Sequence, residues 1–274
     1  MRFLLTAGLF TLLSSVLAQS EDPDDDPLAC DDYIATVENQ AQLDFYSTCP
    51  VYQTTIFVGH NFSGPFKLPG IETLGRISAG YLLPKIPSKG RTDDAVTSIS
   101  FPDLKNNTES YFGGIGIMYL DHLTDVSFPK LENMTGDLIL LSNPKLHKAV
   151  FPALKSLSGG ISIDGEFDEI SFPYLKDVAF IDIHSTGNID CRALGKNFSS
   201  VVYTAKEKPL YGDFGFICWT YNETNRWNSS DPEGNAHPSS TSTDGGSSAT
   251  DLHIRFVNVV LAFVGIALVR GLFM

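Results

Sequence analysis

The chain has 274 residues, 43% of them hydrophobic and 19% charged, and a formal net charge of −13. An acidic balance of this size excludes the basic footprint that nucleic-acid binding needs, and it excludes docking on anionic lipid through surface charge. The length allows one sizeable domain together with processing and linker segments.

The first segment, "MRFLLTAGLFTLLSSVLAQS", has one early cation (Arg2), an apolar run from Phe3 to about Leu13, and small residues after it. Val16 and Ala18 occupy the −3 and −1 positions of a cleavage site, and the apolar run is too short to cross a ~30 Å hydrocarbon core. Residues 1–18 are therefore read as a signal peptide. Residues 19–29, overlapping the stretch "EDPDDDPLACDD" (21–32), read as a solvated acidic lead-in.

The folded part is predicted over residues 30–220. "TTIFVG" (54–59), "FKLPGIETLGRISAGYL" (66–82) and "VTSISF" (96–101) read as degenerate repeat coils, and residues 83–95 between them as an exposed loop. A regular pattern follows. "ISFPDLK" (99–105), "VSFPKLE" (126–132), "AVFPALK" (149–155) and "ISFPYLK" (170–176) place Phe101, Phe128, Phe151 and Phe172 at spacings of 27, 23 and 21 residues. That period belongs to a solenoid. Each copy leads through a polar connector into an alternating run: "GGIGIMYL" (113–120), "GDLILL" (136–141), "GGISIDG" (159–165) and "VAFIDIHS" (178–185). Alternation of period two predicts strands with Leu138, Leu140, Ile161, Ile163, Ile181 and Ile183 inward, and Asp137, Ser162, Asp164, Asp182 and His184 outward. In Phe-Pro-x-Leu, Phe ends a short strand in the core, Pro makes the corner where its missing N–H costs no ladder bond, and Leu re-enters the core. A single coil cannot bury its own apolar side, so coils must stack and be capped.

"FGFICWTYNETNRW" (214–227) is read first as a cap over the last coil and second as an aromatic platform, with Trp219, Tyr221 and Trp227 as candidate glycan contacts. Residues 221–250 form a Ser/Thr/Gly-rich stalk. Gly245, or else Gly246 or Ser247, fits an attachment site for a glycosylphosphatidylinositol (GPI) lipid, followed by a polar spacer and the apolar tail. Asn258 and Arg270 make that tail a poor permanent span, so residues 251–274 are read as an anchor signal removed on maturation. The plasma membrane, through that lipid, is the predicted attachment.

Behind a signal peptide, the tripeptides at Asn61, Asn106, Asn133, Asn197, Asn222 and Asn228 are N-glycosylation acceptors. Asn106 and Asn133 both lie five residues after a motif phenylalanine and should stand on the same side. The four cysteines allow three pairings; Cys30–Cys49 and Cys191–Cys218 are favoured, because each would staple one end of the solenoid.

Phe-Pro-x-Leu, then Gly-x-Ile/Leu-x-Ile/Leu, then x-x-Leu-x-x-Val/Ile-Ser-Phe-Pro resembles the receptor L-domain. With the terminal segments, the chain is most similar to fungal GPI-anchored cell-wall organisation proteins, over about residues 30–220. The resemblance implies a right-handed parallel β-helix related to leucine-rich repeats, mainly β, and a non-enzymatic surface glycoprotein that scaffolds or binds at the wall. Cell-wall polysaccharide or wall proteins would be its partners; no cofactor, metal or catalytic residue is implied. Oligomeric state stays open.

Two other functions fit a surface solenoid. An adhesion or receptor-like module would bind a protein ligand. A β-helix polysaccharide-modifying enzyme would need two carboxylates across a cleft. "DGEFDE" (164–169) offers Asp164, Glu166, Asp168 and Glu169, with Asp182 one coil on, but a solvated turn outweighs both a catalytic pair and a calcium loop there. Of the histidines (60, 122, 147, 184 and 237), only His184, expected beside Asp182, forms a pairing of interest.

Overall fold

A computed structural model describes residues 28–80, 95–108, 114–202, 215–221 and 225–231. The signal peptide, nearly all of the acidic lead-in, the loop at 83–94, the stalk beyond 231, the attachment residues 245–247 and the tail lie outside these. The described chain is mainly β and winds as a solenoid of about six turns.

The coils stack along three strand faces. The broad face runs in parallel register through Val51–Val58, Thr73–Ala79, Gly114–Met118, Asp137–Leu141, Ile161–Gly165, Ile181–Ser185 and Phe216–Thr220. Its inward side chains form two continuous rows. One is Ile77, Ile115, Leu138, Ile161, Ile181 and Phe216; the other is Ala79, Ile117, Leu140, Ile163, Ile183 and Cys218, and all are buried. The second face carries the short strands that precede each corner, Leu-Pro at the first and Phe-Pro at the rest: Gly64–Lys67, Val96–Ser100, Asp125–Ser127, Lys148–Val150 and Glu169–Ser171.

The third face lies in what the sequence suggests is merely a polar connector. Asn106–Asn107, Asn133–Met134, Ser156–Leu157 and Asp177–Val178 pair in parallel, coil on coil. Each places one buried residue six positions after the motif phenylalanine: Asn107, Met134, Leu157 and Val178. Strands of two residues are too short to show alternation, which is why the periodicity passes over them.

The corner motif behaves as its chemistry requires. Phe101, Phe128, Phe151 and Phe172 are buried, and so are Leu104, Leu131, Leu154 and Leu175, while Pro129, Pro152 and Pro173 are exposed. The rings stack at centroid separations of 5.6, 5.7 and 5.5 Å, with interplanar angles of 8°, 9° and 15°. The ladder continues past the repeats, from Phe101 to Phe66 and Phe62 on one side and from Phe172 to Phe198 and Phe216 on the other. At "KLPGIE", Leu68 takes the motif position and Phe66 supplies the ring, so the degenerate coil keeps the ladder whole.

Two short helices at the ends were not evident from the sequence. α1 (Gln40–Tyr46) is capped by Asn39, whose side chain accepts from Gln42 N; α2 (Cys191–Phe198) is capped by Asp190, which accepts from Arg192 N and Ala193 N. Disulfides Cys30–Cys49 and Cys191–Cys218 fasten the two ends. Phe216–Thr220 is itself the last parallel strand of the broad face rather than a lid over it. The edge is closed by the antiparallel pair Trp227–Asn228 and by α2, which inserts Phe198 into the ladder.

Replacing the mid-ladder ring, Phe151→Ala, removes stacking on both sides and should cost about 3–5 kcal/mol. In urea unfolding of the purified chain the midpoint should fall at an unchanged slope. A loss under ~1 kcal/mol would show that the ladder does not hold the coils.

Candidate functional site

The outward side of the broad face is the surface that the register organises most strictly. Parallel strands lie about 4.8 Å apart, so residues in register are nearest neighbours. One outward row is Ser78, Gly116, Ile139, Ser162, Asp182 and Ile217; the next is Met118, Leu141, Asp164, His184 and Trp219. Towards the C-terminal coils the two rows turn polar and aromatic, and a cluster forms.

Its centre is a pair spanning two coils: His184 Nδ1 donates to Asp164 Oδ2 at 3.0 Å, with both side chains about one-third exposed. That hydrogen bond raises the imidazole pKa against the opposing effect of burial. Asp182 stands beside them in the adjoining row. Burial pushes its carboxyl up to about 6, the charge on nearby Asp164 adds to the rise, and His184 partly offsets it. Among the described residues Asp182 takes no hydrogen bond, although it retains partial access to solvent.

Tyr119 borders the cluster. It leaves its strand at φ 59°, and the in-register residue of the next coil, Ser142, does so at φ 53°. Glycine fills the following coil at this column, Gly165 with φ 156°, while on the preceding coil Gly80, opposite Met118, bends one position earlier with φ 72°. Left-handed backbone is inexpensive for glycine and costs a tyrosine or serine about a kcal/mol or more. Burial raises the Tyr119 hydroxyl pKa, and the Asp164 charge adds to it. At the opposite margin the Arg226 guanidinium lies 5.8 Å from the Trp219 ring centroid.

The expected partner of His184 needs correction. Reading along the strand puts Asp182 beside it, but residues two apart on a strand are about 6.7 Å apart, and the coil neighbour Asp164 is closer. The outward aspartates are also less solvated than expected: Asp137, whose carboxyl is raised by burial, accepts from Gly160 N at 2.7 Å.

The "DGEFDE" carboxylates do not converge. Asp168 accepts from Asn188 N and lies 3.9 Å from His147, Glu169 pairs with Lys148 at 2.9 Å, and Glu166 is exposed. Phe167 between them is buried and anchors the turn. His122 meets Lys145 at 3.2 Å, and His237 lies outside the described residues.

The three candidate aromatics divide between two sides. Tyr221 is 85% exposed and Trp219 is half-buried on the outward face. Trp227 pairs with Cys218, hence faces the other way, lies against Gly195 of α2 and donates its indole N–H to Ser199 Oγ at 3.0 Å.

Of the sequons, Asn106 and Asn133 are in register on the third face, and Asn133 Nδ2 donates to Asn106 Oδ1 at 3.1 Å. Asn61 and Asn197 are exposed, Asn228 is on the edge strand opposite Ile217, and Asn222 lies outside the described residues.

The chain is 31% identical over 125 residues to protein ecm33 of Aspergillus fumigatus, covering 37% of this chain and 30% of that protein. It is 36% identical over 98 residues to a cell surface GPI-anchored protein of Arthroderma benhamiae, covering 32% and 25% respectively. The likeness is to fungal GPI-anchored cell-wall proteins. It is consistent with a place on the outer face of the plasma membrane and in the cell wall. A third relative, sporulation-specific protein 22 of Saccharomyces cerevisiae, is 34% identical over 90 residues, covering 31% of this chain and 19% of that protein. The chain spans less than a third of the length of each of these relatives. No family model matches it, and no solved structure does. None of the three relatives carries an enzyme's name.

The cluster makes stability depend on pH. Asp182 is raised above its unfolded value, so its contribution is fully present below the ordinary carboxylate range and is lost as pH rises through about 6. His184 is raised as well, so its contribution is present below the ordinary imidazole value and is lost as pH rises through the raised one. The melting temperature of the purified chain should therefore fall between pH 5 and pH 8. Asp182→Asn should flatten that slope and add roughly 1–3 kcal/mol at pH 7.5. An asparagine variant less stable than the parent at pH 7.5 would show that the carboxylate is not strained by burial.

Proposed function

We propose that the chain is a non-enzymatic, GPI-anchored glycoprotein that contributes to fungal cell-wall organisation as a rigid scaffold and binding surface. The observation that carries this reading is its likeness to the cell surface GPI-anchored protein of Arthroderma benhamiae. The fold agrees with it. A solenoid stapled at both ends and laddered with phenylalanine through its length holds a fixed outward face at the surface. The signal peptide, the anchor at Gly245 or its neighbours, and glycans on Asn61, Asn106, Asn133, Asn197, Asn222 and Asn228 complete the proposal. Its membrane partner is the GPI lipid, and its wall partners are polysaccharide or wall proteins.

A second reading, an adhesion or receptor-like module with a protein ligand, draws on the first coil. There Tyr33 (83%), Ile34 (51%) and Val51 (45%) are exposed.

Phospholipase C treatment of intact cells should release the protein, and deletion of residues 251–274 should send it into the medium. Cells lacking the gene should be more sensitive to wall-binding dyes and be restored by the intact chain. Retention of the C-terminal tail in the mature protein, seen by mass spectrometry, would overturn the anchor. Normal dye sensitivity would overturn the role in the wall.

A further inference from the structure

A carboxylate partly screened from water and without a hydrogen-bond donor is held at a cost that a ligand's donor can relieve. Asp182 is half-buried on this face and, among the described residues, accepts no hydrogen bond. It has Ser162 and Ile217 in register on either side, and His184 next to it along the strand. With His184 Nδ1 committed to Asp164, its Nε2 is the nitrogen left for a ligand. The cluster therefore presents acceptors, a ring nitrogen and a serine hydroxyl, bounded by Tyr119 on one side and Trp219 on the other.

We propose that this outward face, centred on Asp182 and His184 between Tyr119 and Trp219, binds a neutral, hydroxyl-rich saccharide chain. Sugar hydroxyls supply the donors that Asp182 lacks. Ile139, Ile217 and Trp219 offer apolar surface to the C–H faces of the rings. Because Arg226 already lies over Trp219, that indole serves as a wall of the site rather than an open platform. The strand spacing of about 4.8 Å is close to the advance of one pyranose along an extended glycan, so successive coils can meet successive sugars. The charge of −13 opposes an acidic polysaccharide. Asn61, Asn106, Asn133 and Asn197 carry their sequons off this face, and Asn228 stands only at its rim. The inference rests on the surface-protein reading and names the ligand class of its binding surface.

The test uses full-length mature glycoprotein, purified in detergent from cells, so that it does not depend on the anchor. Calorimetric titration is run with laminarihexaose and cellohexaose as neutral probes, a chitosan hexamer as the cationic one and oligogalacturonate as the acidic one. At least one neutral hexaose should bind, and Asp182→Asn and His184→Ala should each weaken it about tenfold or more. Lys155→Ala, at the start of the third face and paired with Glu132, should leave affinity unchanged. The melting temperature of Asp182→Asn should not fall, which separates loss of a ligand contact from loss of fold. Absence of binding by both neutral probes overturns the proposal, as does affinity kept within twofold in both variants. Tenfold preference for the chitosan or galacturonate probe does so too. A protein that is correctly anchored yet binds no hexaose sinks this inference alone and leaves the anchored-scaffold reading standing.

Discussion

Everything in this molecule depends on the in-register stacking of one aromatic ring per coil. The phenylalanines from 101 to 172 stack almost in parallel at 5.5–5.7 Å, a little more than the ~4.8 Å between parallel strands. The rings thus fill the height of a coil completely and leave little freedom for one turn to slip against the next. A slip of one residue would turn each coil's aliphatic row outward and lose the ladder together with the core. Proline after each phenylalanine fixes the corner at the same place in every turn, so the ladder and the bend reinforce one another.

Register imposed inside is inherited outside. Lys105 meets Glu72 at 2.9 Å and Lys155 meets Glu132 at 2.7 Å, one coil to the next, and Asn133 meets Asn106 in the same way. These exposed pairs contribute little to stability, but they show that chemistry on any outward column is stacked as regularly as the core. Where the column holds complementary groups the surface is neutralised. On the broad face near its C-terminal end two adjoining columns instead gather Asp164 and His184 in one and Asp182 in the other, and only the first two find a partner in each other.

Much of this was legible in the sequence. Phe-Pro-x-Leu announces itself because it combines a core residue, a corner and a second core residue at fixed spacing, and the five-residue strands show their alternation. The third face was hidden, since two residues cannot alternate and the first of its buried positions is filled by Asn107. That residue donates to Gly75 O at 2.6 Å, at the coil where the pairing of Val51–Val58 with Thr73–Ala79 shifts register. The capping helices were missed because seven or eight residues give too few turns for a 3.6 period to stand out from the flanking strands. At the site, the residue types were correctly taken as outward. Their partnerships were not, because a one-dimensional reading measures distance along the strand whereas the solenoid brings together residues some twenty positions apart.

The column Tyr119, Ser142 and Gly165 shows how far the outward face is specified beyond folding. Each residue takes a positive φ at the end of its broad strand, a bend glycine makes without penalty, and one of the three is glycine. If folding alone set this column, glycine would serve at all three positions. Tyr119 instead accepts the strained conformation, and in return holds a ring at the margin of the cluster within electrostatic reach of Asp164. Strain at Tyr119 and a carboxylate without a protein donor at Asp182 therefore fall on the same face, a few coils apart. Neither is required by the ladder that holds the coils together, and a hydroxyl-bearing ligand laid on that face would supply the donor that Asp182 lacks.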